Sequence, residues 1–82
     1  MKISINLLVP AIGKDFDVLI PDFVKIAELT PLLSQAVSEL SNHEYVSSHQ
    51  ELLCHRELNL LLSQDKTFDD YQIQNGDHIY LL

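Results

Sequence analysis

Three histidines and the only cysteine of the chain lie close together in the sequence. His43, His49, Cys54 and His55 fall within thirteen residues, and these are side chains that bind zinc. Their spacings match none of the common paired spacings of zinc sites, however, and neighbouring residues on a strand point to opposite faces. We therefore expect no metal site here, with the histidines in polar loops and Cys54 as a buried packing residue.

Catalytic chemistry has no better support in the sequence. A nucleophilic Cys54 would need a histidine, a group that orients that histidine, and a glycine-rich oxyanion turn, and the last two are missing. The acidic pair Asp69-Asp70 reads as a solvated turn in which Asp70 caps the chain. No phosphate-binding loop is present either. The sequence thus predicts a protein that is not an enzyme and needs no cofactor.

The composition predicts one small domain over residues 1–82. The chain is 46% hydrophobic and 21% charged, which is typical of a globular domain. Its formal charge of −7 argues against nucleic acid and anionic lipid as partners, because both require a basic surface. A single cysteine is compatible with a reducing compartment, and neither a signal peptide nor a membrane-spanning stretch is recognisable. We expect a cytoplasmic protein, recruited to the membrane, if at all, through a protein partner.

The first twenty residues predict an antiparallel hairpin. Both runs alternate between apolar and polar residues, and a turn containing Pro10 and Gly13 separates them. Leu8 and Leu19 are apolar residues on the otherwise polar face. The inward positions are Ile3, Ile5, Leu7, Val9, Phe16, Val18 and Ile20.

From Ile26 the apolar residues follow helical spacing instead. Pro31 interrupts this pattern, since a proline inside a helix costs about 3 kcal/mol. Either one helix starts near Ile26 and is distorted at Pro31, or a helix starts afresh with Thr30 as its N-cap. The unbroken apolar stripe favours the first alternative. The stripe comprises Ile26, Leu29, Leu32, Leu33, Ala36, Val37 and Leu40.

After a polar connector, three further strands are predicted. Two are short, in "ELLCH" and "LLL", and the last is "HIYLL", which follows a turn at Asn75-Gly76. The last strand places Ile79 and Leu81 inward and should lie centrally, beside the first strand. The predicted fold class is α+β, a mixed sheet of four to five strands packed on one amphipathic helix, in ββαββ order.

The segment "KTFDDYQIQNGDHIYLL" resembles the end of ubiquitin-like proteins, which have the β-grasp fold. In this motif we expect the Tyr71 hydroxyl to bond nearby backbone and Ile73 to enter the core. Together with "DFDVLIP" and "LLL", the segment is similar to small bacterial proteins of the YukD/EsaB type. These are encoded with type VII (WXG100, ESX-like) secretion systems of Gram-positive bacteria. The resemblance implies a ubiquitin-like β-grasp domain.

The resemblance also implies a function. It suggests a non-enzymatic accessory or regulatory component of a type VII secretion system, with cytosolic domains of the membrane-embedded subunits as partners. One alternative is a sulfur carrier or protein modifier, but such proteins end in a flexible Gly-Gly tail, whereas this sequence ends on Leu81-Leu82. We therefore expect no covalent conjugation. Another alternative is a regulator of transcript or effector levels that makes no stable contact with the apparatus.

A partner would bind the sheet face opposite the helix, because that face of the fold is left uncovered. If Leu52 and Cys54 point inward, Leu53 points outward, although the opposite phase of this short strand is also possible. The predicted partner-binding patch consists of Leu8, Leu53, Tyr80 and Leu82.

Overall fold

The computed structural model describes all 82 residues. One helix packs against a mixed five-stranded sheet with strand order β2-β1-β5-β3-β4. Strands β1 and β5 are parallel, and every other neighbouring pair is antiparallel. The predicted α+β class is confirmed, and the order is ββαβββ, with one strand more after the helix than in the predicted ββαββ order. The elements are β1 (Lys2–Val9), a 3-10 turn (Pro10–Ile12), β2 (Lys14–Pro21), α1 (Ile26–Leu40), β3 (Leu53–His55), β4 (Leu60–Leu61) and β5 (His78–Leu81).

The N-terminal hairpin has the predicted register. Strands β1 and β2 pair from Lys2 opposite Pro21 to Val9 opposite Lys14. Between the strands, Gly13 closes the 3-10 turn with a φ of 64° and donates its N–H to the carbonyl of Pro10. Glycine adopts this left-handed conformation without steric cost, so it suits the position.

Helix α1 begins at Ile26 and continues through Pro31, which is its sixth residue. Thr30 is therefore not the N-cap, and its hydroxyl donates to the carbonyl of Ile26 at 2.8 Å. Proline cannot supply the usual helical N–H bond, but the helix start is held from outside. The N–H groups of Ile26 and Ala27 donate to carbonyls of the loop that precedes Phe68, at 2.8 and 3.0 Å.

The core lies between α1 and one face of the sheet and contains sixteen buried hydrophobic residues. The helix contributes Ile26, Leu29, Leu33 and Val37. Leu32 and Leu40, which the helical spacing placed on the same stripe, are exposed. The stripe is thus narrower than predicted. Loop residues complete the core, namely Tyr45, Leu62, Phe68 and Ile73.

Strand β5 lies between β1 and β3, which makes it central as predicted. Ile79 and Leu81 are buried on its inner face. The preceding turn is fastened to β1, because Ser4 donates its N–H to Asn75 Oδ1 at 2.8 Å and accepts the N–H of Gly76 at 2.8 Å. The inner face of β5 is therefore part of the core.

The ubiquitin-like motif before β5 has the local structure that its residues predict. Thr67 and Asp70 cap one another: Asp70 Oδ2 accepts the N–H of Thr67, and Thr67 Oγ1 accepts the N–H of Asp70. The Tyr71 hydroxyl accepts the N–H of Ser63 at 2.8 Å, and Ile73 is buried. The motif is accounted for by folding alone.

Candidate functional site

The phase of β3 decides which side chains reach the open face of the sheet. Leu53 lies opposite Leu81 of β5, and Cys54 lies opposite Tyr80. Residues directly opposite each other in a sheet share a face, so Leu53 points into the core with Leu81 and is 0% exposed. The placement of Leu53 in the partner-binding patch is wrong. Cys54 is half-buried on the open face, so the interpretation of Cys54 as a core residue is wrong too.

On the open face, four side chains form a row across four strands. Leu8 lies opposite Tyr80, Tyr80 opposite Cys54, and Cys54 opposite Leu61. Opposed residues in a sheet have Cβ atoms about 4.5–5.5 Å apart, so the row is continuous. Leu8, Cys54 and Tyr80 are half-buried by their neighbours, whereas Leu61 is 55% exposed.

A second pair of leucines extends the row towards one end of the sheet. Leu52 and Leu82 exchange two backbone hydrogen bonds of 2.9 Å, which continue the pairing of β3 with β5. Their exposed fractions are 42% and 58%. Together the six side chains form what we call the open-face patch: Leu8, Leu52, Cys54, Leu61, Tyr80 and Leu82.

Three members of the open-face patch, Leu8, Tyr80 and Leu82, were predicted from the sequence. Leu61 was missed because "LLL" carries no alternation that assigns its faces. The register with Cys54 supplies that assignment. The sequence leaves the phase of Leu52 open, and its place on the open face follows from the register of β3 with β5.

Acidic side chains border the patch at strand β2. Asp15 lies opposite Leu8, and Asp17 lies opposite Asn6. The Asn6 amide donates to both carboxylates, at 2.8 Å to Asp15 Oδ2 and 3.1 Å to Asp17 Oδ1. One amide thus holds two negative charges next to the apolar row. A partner that covers the row and its border would match it best with apolar and basic groups.

The sequence cluster of histidines and Cys54 is not a cluster in space. His55 points into the protein and Cys54 away from it, while the ring of His43 lies 3.4 Å from the Ser38 hydroxyl. His55 instead meets Asp77 and Glu57, with Nε2 at 2.8 Å from Asp77 Oδ2 and 3.5 Å from Glu57 Oε1. The three ligand-type atoms lie within 4.8 Å of one another, a spacing that could hold a metal ion.

The surroundings of His55 favour a structural role over metal binding. Bonding to the Asp77 carboxylate puts the ring proton on Nε2, and Nδ1 is buried without a partner. A metal on Nε2 would move that proton to Nδ1, where no acceptor receives it. The carboxylates also have other bonds, since Asp77 accepts the N–H of Gln74 and Glu57 accepts that of His78. The cluster fastens the turn after β3 to the turn before β5.

Glu57 in this cluster is held in its ionised form. Burial opposes the negative charge of Glu57. Hydrogen bonds from the His78 ring, at 2.6 Å, and from the His78 backbone N–H outweigh the effect of burial, and the pKa of Glu57 is lowered to about 2. The Glu57 side chain is 40% exposed, and solvent therefore screens much of the effect on stability.

Solved structures with the same fold are ubiquitin-like. The EccD5 ubiquitin-like domain from Mycobacterium xenopi superimposes with a TM-score of 0.73 at 12% identity, over 100% of this chain and 93% of that one. A protein designed from ubiquitin gives 0.70 at 18% identity, over 99% and 87% of the two chains. The ubiquitin-like domain of an Arabidopsis thaliana protein gives 0.68 at 16% identity, over 99% and 76%. The chain therefore has the ubiquitin-like β-grasp fold.

The family follows from a match that covers nearly the whole chain. The model of the WXG100 protein secretion system protein YukD matches residues 3–81. The chain belongs to this family, and it is a ubiquitin-like accessory protein of type VII secretion. No curated protein sequence matches it significantly. Its one helix is too short and too polar to cross a membrane.

Proposed function

We propose that this protein acts without catalysis, by binding a protein component of the secretion machinery through the open-face patch. The observation that carries the proposal is the apolar row from Leu8 to Leu61, which crosses four strands on the sheet face not covered by α1. Membership of the YukD family supports the secretion machinery as the source of the partner. Cytosolic domains of membrane-embedded subunits are the partners that we propose.

The composition of the open-face patch suits protein binding. Leu61 and Leu82 are more than half exposed, at 55% and 58%, and burying such side chains contributes about 25 cal/mol per Å² of apolar surface. Tyr80 lies in the middle of the row, and tyrosine is enriched among the residues that dominate interface energies. The acidic border at Asp15 and Asp17 would then select a partner with basic groups at the matching positions.

Residues 76–82 are held by the fold. Gly76 lies in a turn with positive φ. Leu81 is buried in β5, and Leu82 is bonded to Leu52 through both of its backbone groups. This part of the chain is held in the sheet.

The double variant Tyr80→Ala/Leu61→Ser tests the proposal. It should fold, because both residues lie on the open face, and it should bind its machinery partner about tenfold more weakly, equivalent to about 1.4 kcal/mol. Secretion of WXG100 substrates should fall in parallel. Affinity is measured with purified cytosolic domains of the subunits, and secretion is measured by complementing a strain that lacks the gene.

A matched control is Leu32→Ser/Leu40→Ser, which changes two exposed leucines of α1 on the far side of the molecule. This control should bind and secrete normally. A folded Tyr80→Ala/Leu61→Ser variant with unchanged affinity and secretion would refute the open-face patch as the binding site. Reduced secretion combined with no measurable binding by the wild-type chain would instead favour a regulator that makes no stable contact with the apparatus.

A further inference from the structure

A polar groove runs along the outer side of α1, between the helix and the segment of residues 47–51. It has a volume of about 610 Å³. The helix contributes Ser34 and Gln35 to its wall, and the facing segment contributes Ser47, His49 and Glu51. Because α1 covers the inner face of the sheet, this groove does not belong to the open-face patch. Nothing in the proposed function uses it.

Glu51 lines this groove, although its side chain is almost entirely buried and only 8% of the residue is exposed. Its Oε2 accepts four hydrogen bonds, from the hydroxyls of Tyr45, Ser47 and Ser34 at 2.7, 2.8 and 3.2 Å and from the N–H of Ser48 at 2.8 Å. These four donors orient the carboxylate rigidly. They also make it a preformed anionic group.

No other residue donates a hydrogen bond to the second carboxylate oxygen of Glu51, Oε1. Glu51 lines the groove and keeps 8% of its surface exposed. One oxygen is thus fixed by the protein, and the other is available to a ligand.

Glu51 takes part in none of the ion pairs of the protein. The groove wall contains neither lysine nor arginine, and its one basic side chain is His49. Burial opposes ionisation, but the bonds from Tyr45, Ser47 and Ser48 outweigh it and lower the pKa of Glu51 to about 2. A largely desolvated carboxylate that stays ionised at neutral pH is a strong acceptor for a cationic donor.

We propose that this groove binds a lysine or arginine side chain of a protein partner, with Glu51 Oε1 accepting a charge-assisted hydrogen bond from the cationic group. The amide oxygens of Gln35 and Gln64, both exposed residues of the groove wall, supply further acceptors for the remaining N–H donors. The net charge of −7 attracts a basic partner to the protein as a whole. The protein would then have two contact surfaces, one apolar on the open sheet face and one anionic beside the helix.

The experiment uses the full 82-residue chain and two capped tripeptides that differ in charge, Gly-Arg-Gly and Gly-citrulline-Gly. Titration is followed by the amide NMR signals of residues 34–35 and 47–51. The arginine peptide should give saturable shifts there, and its affinity should exceed that of the uncharged citrulline peptide at least tenfold. Raising the salt concentration should weaken the arginine binding.

A pair of rim variants tests the location. Gln35→Lys places an ammonium group at the groove and should weaken binding of the arginine peptide at least fivefold. Gln74→Lys adds the same charge at an exposed residue outside the groove wall and should leave the affinity within twofold of wild type. Both positions are on the surface, so both variants should fold.

Any one of three results would overturn the proposal. These are the absence of saturable NMR shifts, equal affinities for the two peptides, and an equal effect of Gln35→Lys and Gln74→Lys on the affinity for the arginine peptide. Glu51 would then serve only to hold residues 45–48 against α1 by hydrogen bonds.

The Tyr80→Ala/Leu61→Ser variant should bind the arginine peptide like wild type. Failure of this proposal is therefore distinguishable from failure of the open-face patch.

Discussion

Replacing Ile79 and Leu81 together by alanine is expected to unfold the domain at room temperature. Both side chains are fully buried, and β5, which carries them, is bonded to β1 on one side and to β3 on the other. Truncating a buried leucine or isoleucine to alanine costs about 2–5 kcal/mol. Two such losses amount to about 4–10 kcal/mol, which is comparable with the total stability of a domain of this size, at the lower end of about 5–15 kcal/mol.

The measurement is urea unfolding followed by circular dichroism, with Leu82→Ala as the matched control. Leu82 is 58% exposed and adjoins the same strand, so its truncation should change the free energy of unfolding by less than about 0.5 kcal/mol. A double variant of Ile79 and Leu81 that unfolds cooperatively at the wild-type midpoint would show that β5 does not hold the sheet together.

The parts of the fold that the sequence predicted correctly are its long periodic elements. Strands β1 and β2 have eight residues each, so alternation assigns their faces without ambiguity. The apolar stripe of α1 correctly predicted one helix that continues through Pro31. The helix tolerates this proline because its first N–H groups are bonded by the loop that follows β4. The place of β5 followed from its apolar inner face and from the limited choice of topologies for one hairpin and one helix.

The short strands could not be assigned in the same way. Strand β3 has three residues and begins at the second of two adjacent leucines, Leu52 and Leu53, so period-2 reasoning fits either phase. The register with β5, a contact between residues far apart in sequence, selects Leu53 for the core. A slip of one residue in a strand moves every side chain to the other face. This ambiguity explains why the sequence placed Leu53 instead of Leu52 in the predicted patch and why it missed Leu61.

The buried polar groups left little signal in the sequence. His55 bonds to Asp77 across 22 residues of sequence, and Glu51 gathers donors from a helix and from a loop. The pairs His55–Asp77 and Ser34–Glu51 have no spacing that a motif would capture, whereas Ser48 and Glu51 have the S-x-x-E spacing of a capping box. Glu51 also comes from a segment whose composition predicts only an irregular polar connector. Such clusters depend on how the elements pack together, and that is visible only in three dimensions.

Acid is expected to destabilise the domain through Glu51. Its pKa lies at about 2 in the folded protein, against 4.5 ordinarily. A carboxylate with a lowered pKa stabilises the fold fully above its unfolded pKa, and this stabilisation is lost as the pH falls from about 4.5 to about 2. The difference corresponds to about 3 kcal/mol. The free energy of unfolding should therefore decrease by about this amount in that window, in addition to the effects of other carboxylates.

The variant Glu51→Ala isolates this contribution. At pH 7 it should lose about 3 kcal/mol, because the buried Tyr45 and Ser34 hydroxyls lose their acceptor. The variant should then lose less stability than wild type between pH 7 and pH 3, since the group that takes up the proton is gone. Glu44→Gln, at an exposed carboxylate, is the matched control and should keep the wild-type pH dependence. Urea unfolding at the two pH values measures both differences. Identical acid sensitivity of Glu51→Ala and wild type would mean that the pKa of Glu51 is the same in the folded and unfolded protein, so that the hydrogen bonds to its carboxylate do not favour the ionised form.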